Sequence, residues 1–187
     1  PLIDEALAWA RRDDHRMIPM LLFLEGRIHI ASGGSSDYYA DLVRQGLRLV
    51  DERDAGRRAT LQVALCQALG WSGLLQEGLV ASDAALDEID AVDSVDEQFL
   101  GYRAVHWAMN LRGRILLRMC RFQEARECFR MMLAIDAREV DPTVRFIAHM
   151  GCLEIAAARM EPENAGEHAA EVERIASQYP NAYLRVF

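Results

Sequence analysis

The chain has 187 residues, and all 21 of its basic residues are arginine, because it contains no lysine. Together with 29 acidic residues they give a formal net charge of -8. The lack of lysine excludes Walker A phosphate loops, pyridoxal Schiff bases, protein kinases and Ser-Lys hydrolases from these residues, since each of those sites needs a lysine amine.

The composition predicts an ordinary globular chain. The hydrophobic share of 51% can supply a core, and the length fits one domain or part of a repeat array. No apolar run approaches the roughly 18 residues that span a bilayer, and no secretory leader is visible. We therefore expect a cytoplasmic protein. Its four cysteines have no paired spacing, which predicts buried, reduced thiols: Cys66, Cys120, Cys128 and Cys152.

Charge is distributed unevenly along the chain. Residues 59–102 contain eight acids and no arginine, whereas residues 103–145 contain nine arginines and five acids. A locally basic surface can bind anions on a molecule that is acidic as a whole. Nucleic-acid binding is not expected, because the overall field repels phosphate and no basic arm is present.

Apolar residues recur at helical spacing almost throughout, and no stretch alternates with the period of a strand. In chain order, this pattern predicts helices at about 2–12, 17–33, 37–52, 57–73, 76–90, 98–120, 122–137, 142–160 and 162–178, with another beginning near 181. Asp141-Pro142 is typical of a helix start, with the aspartate as cap and proline in the first turn. Pro19 fits only a helix that begins a few residues earlier or kinks there. Short connections favour antiparallel helix pairs.

One pair has a recognisable pattern. In its first helix Gly113 and Leu116 are three apart, and in its second helix a small residue, Ala125, precedes the aromatic Phe129 by four. Similar roles recur 47 residues earlier at Cys66, Leu69, Gly73, Gly78 and Ser82. Two weaker units follow the same pattern. One contains Gly26, Tyr39, Val43 and Gly46, and the other contains Gly151, Ala165, Ala169 and Val172.

This pattern resembles the tetratricopeptide repeat, in which small residues let two helices approach closely and an aromatic fills the next groove. The resemblance implies an all-α fold, a right-handed superhelical stack of about four antiparallel helix pairs, forming a single domain over residues 1–187. The chain departs from the family in three respects: its spacing exceeds 34 residues, the terminal proline is displaced to Pro142, and the expected Trp and Tyr are mostly absent.

Long, degenerate units of this kind resemble the helical-repeat regions of MalT-like, LuxR-type transcription regulators and of ATPase-linked bacterial nucleotide cyclases. In those proteins the repeats act as a sensor or docking surface beside a nucleotide-binding switch module. The resemblance implies that the chain, which begins at Pro1 instead of methionine, is a piece excised from a larger bacterial signalling protein.

The first helix of each pair lines the inner face of such a stack. The repeat register assigns to this face Phe23, Arg27, Ile30, Val63, Gln67, Trp71, Trp107, Asn110, Arg114, Arg118, Arg145 and Cys152. The candidate binding residues among them are Arg27, Gln67, Trp71, Trp107, Asn110, Arg114, Arg118 and Arg145. Arginine offers a planar fork of donors to carboxylates, and an indole can stack on it, so the expected partner is a protein or acidic peptide, or a small effector.

The alternative is that the arginines form a solvated face paired with Glu124 and Glu127. Its members would be Arg112, Arg114, Arg118, Arg121, Arg126 and Arg130. The acidic residues Asp83, Asp87, Asp90, Asp93 and Asp96 lack the glycine and glutamate of a calcium loop, and predict a solvated linker.

Catalytic and metal motifs are not found. The histidines form no H-E-x-x-H, and His149 and Cys152, three apart on one helix, are interpreted as a packed core pair, since two ligands do not make a metal site. His168 and Glu171 form a single carboxylate-histidine spacing, too few for a di-iron bundle. No Gly-x-Ser-x-Gly is present. We expect neither metal nor cofactor.

The predicted function is a non-catalytic scaffold that binds a protein, peptide or effector. The alternative is an all-helical small-molecule pocket protein, or an enzyme with a dispersed site. Self-association is a third hypothesis, because uncapped terminal repeats expose apolar faces and residues 183–187 are apolar except for Arg185.

Overall fold

The computed structural model describes residues 2–135 and 141–179, and within these ranges the chain is helical with no strand. The helices are α1 (Leu2–Asp13), α2 (Ile18–Ala31), α3 (Ser36–Leu49), α4 (Ala55–Ser72), α5 (Leu75–Asp87), α6 (Ser94–Leu100), α7 (Ala104–Arg118), α8 (Phe122–Ile135), α9 (Pro142–Ala158) and α10 (Pro162–Gln178). Two 3₁₀ turns, His15–Met17 and Ile89–Ala91, precede α2 and α6. The all-α prediction is confirmed. None of these helices is long and apolar enough to span a membrane.

The predicted helix over 98–120 is wrong. The chain instead forms α6 and α7, separated at Gly101, whose φ of 79° ends α6. The amide of Gly101 donates to the carbonyl of Glu97 at 2.8 Å, and the carboxylate of Glu97 accepts from the amide of Ala104 at 3.1 Å, where α7 begins. The apolar periodicity continues across this turn and concealed it. The helix expected near 181, and the apolar residues 183–187, lie outside the described residues.

Pro19 neither kinks its helix nor requires an earlier start. Helix α2 begins at Ile18, so that Pro19 lies in its first turn, where the missing N–H has no intrahelical partner in any case. The 3₁₀ turn before it is capped by Asp14, whose carboxylate accepts from the amide of Arg16 at 3.2 Å.

The same turn follows the first helix of four helix pairs. In each, a residue with positive φ donates to a carbonyl three residues back, and the next residue donates to a carbonyl five residues back, which is the Schellman arrangement. The left-handed residues are Gly33, Gly73, Cys120 and Met160. The turns join α2 to α3, α4 to α5, α7 to α8 and α9 to α10, and each second helix begins two or three residues later.

The chain divides into two compact units, Pro1–Leu111 (unit 1) and Arg112–Phe187 (unit 2). In unit 1, α2 packs extensively on α3 and α4 on α5, and α3 and α4 connect the two pairs. Gly26 lets the ring of Tyr39 lie directly against α2, where any Cβ would overlap it. The side chain of Tyr39 is fully buried, as are those of Phe23 and Leu61.

In unit 2 one buried aromatic ring lies against two glycines. Phe129 of α8 is fully buried, and its Cζ would lie 2.7 Å from a Cβ placed on Gly113. A Cβ on Gly151 of α9 would overlap the same ring. Both α7 and α9 therefore approach Phe129 at a glycine.

Three of the four cysteines are buried thiols as expected, and burial raises the pKa of the Cys128 and Cys152 thiols. The prediction is wrong for Cys120, which is exposed. It occupies the left-handed position of the turn after α7, with a φ of 58°.

Because an L residue in the left-handed region is strained by about 1–2 kcal/mol relative to glycine, Met160→Gly should stabilise unit 2. After the greater flexibility of glycine in the unfolded chain is subtracted, we expect a gain of about 0.5–1 kcal/mol in the free energy of unfolding. Urea denaturation would measure it. Met160→Ala keeps the strain and serves as the control; equal gains in both variants would contradict the assignment.

Gly151→Ala should destabilise unit 2 by about 1–3 kcal/mol, because the added methyl overpacks the core against Phe129. The cost should fall when Phe129→Leu is combined with it, and a double-mutant cycle in urea measures that coupling. Gly166→Ala in α10 is the matched control, since a Cβ there meets nothing within 4 Å. A loss of stability in the control as large as that of Gly151→Ala would argue against the ring contact.

Candidate functional site

Five of the eight predicted binding residues lie in unit 1. Gln67 is buried and accepts from the hydroxyl of Tyr39 at 3.4 Å. The side chain of Trp71, one turn further along α4, is 51% exposed, and its ring centroid lies 6.3 Å from that of Tyr39. Gln67 thus contributes to the core, whereas Trp71 remains accessible.

Of the two candidates on α7 within unit 1, Trp107 is partly exposed and Asn110 is buried. Trp107 stacks on Tyr102, with centroids 4.4 Å apart and planes inclined by 11°. Asn110 is 6% exposed, and its Oδ1 has no hydrogen-bond partner among the described residues. A buried amide oxygen of this kind carries a desolvation cost.

Arg27 holds the end of α6. Its guanidinium donates to the carbonyl oxygens of Phe99 at 3.2 Å and Leu100 at 2.8 Å, and lies 5.6 Å from the ring centroid of Phe23. Its donors are therefore directed at a helix C-terminus, whose carbonyls have no intrahelical partner.

The remaining three candidates lie in unit 2. Arg114 forms an ion pair with Glu154 of α9, and its guanidinium lies 6.0 Å from the ring centroid of Phe129. Arg118, one turn later on α7, is exposed, and Arg145 near the start of α9 is half-buried. Arg114 and Arg118 are thus neighbours on one helix surface, as expected.

The arginines of α8 and its preceding turn pair with nearby glutamates. Arg121 donates to both carboxylate oxygens of Glu124, at 2.7 and 2.6 Å, and this pairing lowers the pKa of Glu124. Arg126 reaches Glu161 at 2.8 Å. Hydrogen bonds from Asn164 and Arg159, followed by the one from Arg126, lower the pKa of Glu161 to about 2.

The prediction of a solvated acidic stretch holds for Asp83, Asp87, Asp90 and Asp93, which are exposed, but is wrong for Asp96. Asp93 caps α6, accepting from the amides of Val95 at 2.8 Å and Asp96 at 2.9 Å. Asp96 is only 4% exposed, and its Oδ1 lies 3.6 Å from Nε of Arg57, too far for a hydrogen bond. Burial raises the pKa of this carboxyl. Glu88 forms a further ion pair, with Arg58 of α4.

The predicted His149–Cys152 core pair is replaced by a pair of histidines. Nδ1 of His149 lies 3.1 Å from Nδ1 of His168 across the α9–α10 contact, whereas Cys152 is buried. His149 is half-buried, and burial, followed by the neighbouring His168, lowers its pKa. Because the two histidines are 19 residues apart, no helical spacing could have indicated the contact.

A cavity of about 350 Å³ opens at the start of α4 in unit 1, and sequence reasoning missed it. It is lined by His15, Arg16, Pro19, Leu49, Val50, Asp51, Asp54 and Arg57. Two of its polar groups already have partners: Nη1 of Arg57 donates to the carbonyl of Arg16 at 2.9 Å, and Asp54 caps α4. Its size falls in the range of small-molecule sites.

Within residues 2–135 and 141–179 no three His, Cys, Asp or Glu side chains converge so as to hold a metal ion.

The chain matches no known family model, no curated protein and no solved structure.

Unit 2 should lose stability on acidification through the histidine pair. The lowered pKa of His149 means that folding favours the neutral ring, so its contribution is complete above the ordinary value of 6.5 and is lost as pH falls below it. Glu171 opposes this effect, whereas Arg145 and Arg174 add to it. We expect the urea midpoint to fall between pH 7.5 and 5, and His149→Gln to flatten the profile. A variant that kept the full pH dependence would rule out this source.

Proposed function

We propose that the chain is a non-catalytic interaction module, a tetratricopeptide-like superhelical stack that binds an acidic segment of a partner protein. The observation that carries the proposal is the turn repeated after α2, α4, α7 and α9, with the same two hydrogen bonds each time. A repeated hairpin, stacked on its neighbours, lines one face with the first helix of each pair. Such a face is suited to an extended ligand.

Within unit 2, the surface that best suits a carboxylate is formed by Arg114 and Arg118. Arg114 and its partner Glu154 are both about one-third exposed, and exposed ion pairs contribute only about 0–1 kcal/mol. A peptide carboxylate can therefore replace Glu154 at little cost. The Phe129 ring beneath the guanidinium orients it in either state.

The charges of the two units favour unit 2 for such a ligand. Unit 1 contains ten arginines and eighteen acidic residues, whereas unit 2 contains eleven of each. The net charge of unit 1 therefore opposes an acidic peptide except where local arginines offset it, whereas the net charge of unit 2 does not oppose one.

In the larger protein the module would be cytoplasmic and part of a bacterial signalling or transcription-regulatory chain, as its resemblance to MalT-like regulators implies. Partner binding would shift the equilibrium of an adjoining switch module. The second candidate function is a small-molecule pocket protein, which the 350 Å³ cavity at the start of α4 favours.

We expect Arg114→Ala/Arg118→Ala to weaken the binding of a fluorescent, glutamate-rich peptide about tenfold, since charged hydrogen bonds contribute about 1.5–3 kcal/mol before the cost of displacing Glu154. Anisotropy titration at two salt concentrations would measure it, and the difference should shrink at high salt. Arg121→Ala/Arg130→Ala is the control, because both arginines pair within α8 and its preceding turn. Equal affinities of all three proteins would overturn the assignment.

A further inference from the structure

Residues 91–100 fold back over α4 and α2 of unit 1, and are called here the return segment. Its start lies against Gly56, where a Cβ would overlap the carbonyl oxygen of Ala91. Its middle places Asp96 beside Arg57. Its end is held by Arg27 through two carbonyl oxygens.

Two of these contacts, at Gly56 and Arg27, fall on helix faces that the repeat register assigns to ligand binding. On α4, Gly56 lies seven residues before Val63 and eleven before Gln67, spacings that share one helix face. On α2, Arg27 shares its face with Phe23, over whose ring it lies. The return segment thus covers part of the predicted inner face of unit 1.

The segment contacts this face as an acidic peptide would. It presents one carboxylate to an arginine and backbone carbonyls to a second arginine, and its Leu100 side chain is buried, at 2% exposed. Asp96 and Leu100 are the only residues of α6 that are buried. The helix has its own N-terminal cap, Asp93, and its own C-terminal turn, Gly101.

The attachment is also incomplete. Among the described residues, Oδ1 of buried Asp96 has no hydrogen-bond donor and buried Nε of Arg57 has no acceptor, although the two atoms are 3.6 Å apart. A ligand carboxylate that replaced Asp96 and came within hydrogen-bond distance of Nε would satisfy Arg57, and the displaced Asp96 would be hydrated.

We propose that the return segment is an internal occupant of the binding face of unit 1, and that an acidic peptide of a partner protein displaces it. The peptide would have a carboxylate four residues before a leucine, as Asp96 precedes Leu100. This proposal rests on the proposed function, but concerns a different surface from Arg114 and Arg118.

Hydrogen exchange of the intact chain tests whether the segment opens. We expect the amides of α6 to exchange at least 100-fold faster than those at the centres of α4 and α5, with little dependence on low concentrations of urea, as for local opening. Exchange of α6 at the same rate and with the same urea dependence as α4 would overturn the proposal, because the segment would then open only on global unfolding.

Peptide binding tests the occupant. A labelled peptide of residues 90–101 should bind the Asp96→Ala/Leu100→Ala protein at least tenfold more tightly than the unaltered chain, since the tethered copy no longer competes. Adding Arg57→Ala should abolish this gain, and Arg53→Ala, an exposed arginine in the loop before α4, should not.

The two proposals fail differently. Equal peptide affinity of the unaltered chain and the Asp96→Ala/Leu100→Ala variant, while glutamate-rich peptide still binds at Arg114 and Arg118, would overturn this inference alone. Loss of the Arg114 and Arg118 effect alone would overturn the proposed function at that surface. Sedimentation must also show a monomer, since a dimer formed by exchanging return segments would assign the face to a second copy instead of a partner.

Discussion

The left-handed turn after each first helix is the constraint on which the rest of the fold depends. Its two hydrogen bonds satisfy carbonyls at the end of the first helix and reverse the chain within two or three residues. The second helix must then lie antiparallel and close to the first. Closeness in turn requires a small residue opposite each large ring, and Gly26 facing Tyr39 and Gly113 facing Phe129 meet that requirement in two different pairs.

Sequence could predict what is local and periodic. The helices follow from apolar spacing, and the small-to-aromatic pattern identified Gly113 and Phe129 before any contact was known. The helix break at Gly101 was not predicted, because the helical spacing of apolar residues continues across it. A glycine within such a periodic run does not by itself indicate a left-handed turn. The donation from Arg27 to Leu100 joins residues 73 positions apart, and the histidine contact joins two helices. No spacing rule reaches such pairs.

Because the chain contains no lysine, arginine makes the ion pairs and hydrogen bonds that lysine and arginine share in most proteins. A guanidinium can donate to two carbonyls, as at Arg27, or to both oxygens of one carboxylate, as Arg121 does with Glu124. An ammonium has no such planar fork. The same property suits these side chains to a partner's carboxylate, and under both proposals an intramolecular contact would compete with the partner for one guanidinium. Those contacts are Asp96 beside Arg57 and Glu154 beside Arg114.

The exposure of Cys120 has a practical consequence. Of the four thiols, Cys120 is exposed, at the turn between α7 and α8, while Cys66, Cys128 and Cys152 are buried. A maleimide dye or nitroxide should therefore modify the native chain at one position, and further labelling reports that the interior has opened. Mass spectrometry after mild alkylation can therefore measure how fast each unit opens. Modification of Cys66 reports the opening of unit 1, and modification of Cys128 or Cys152 reports the opening of unit 2.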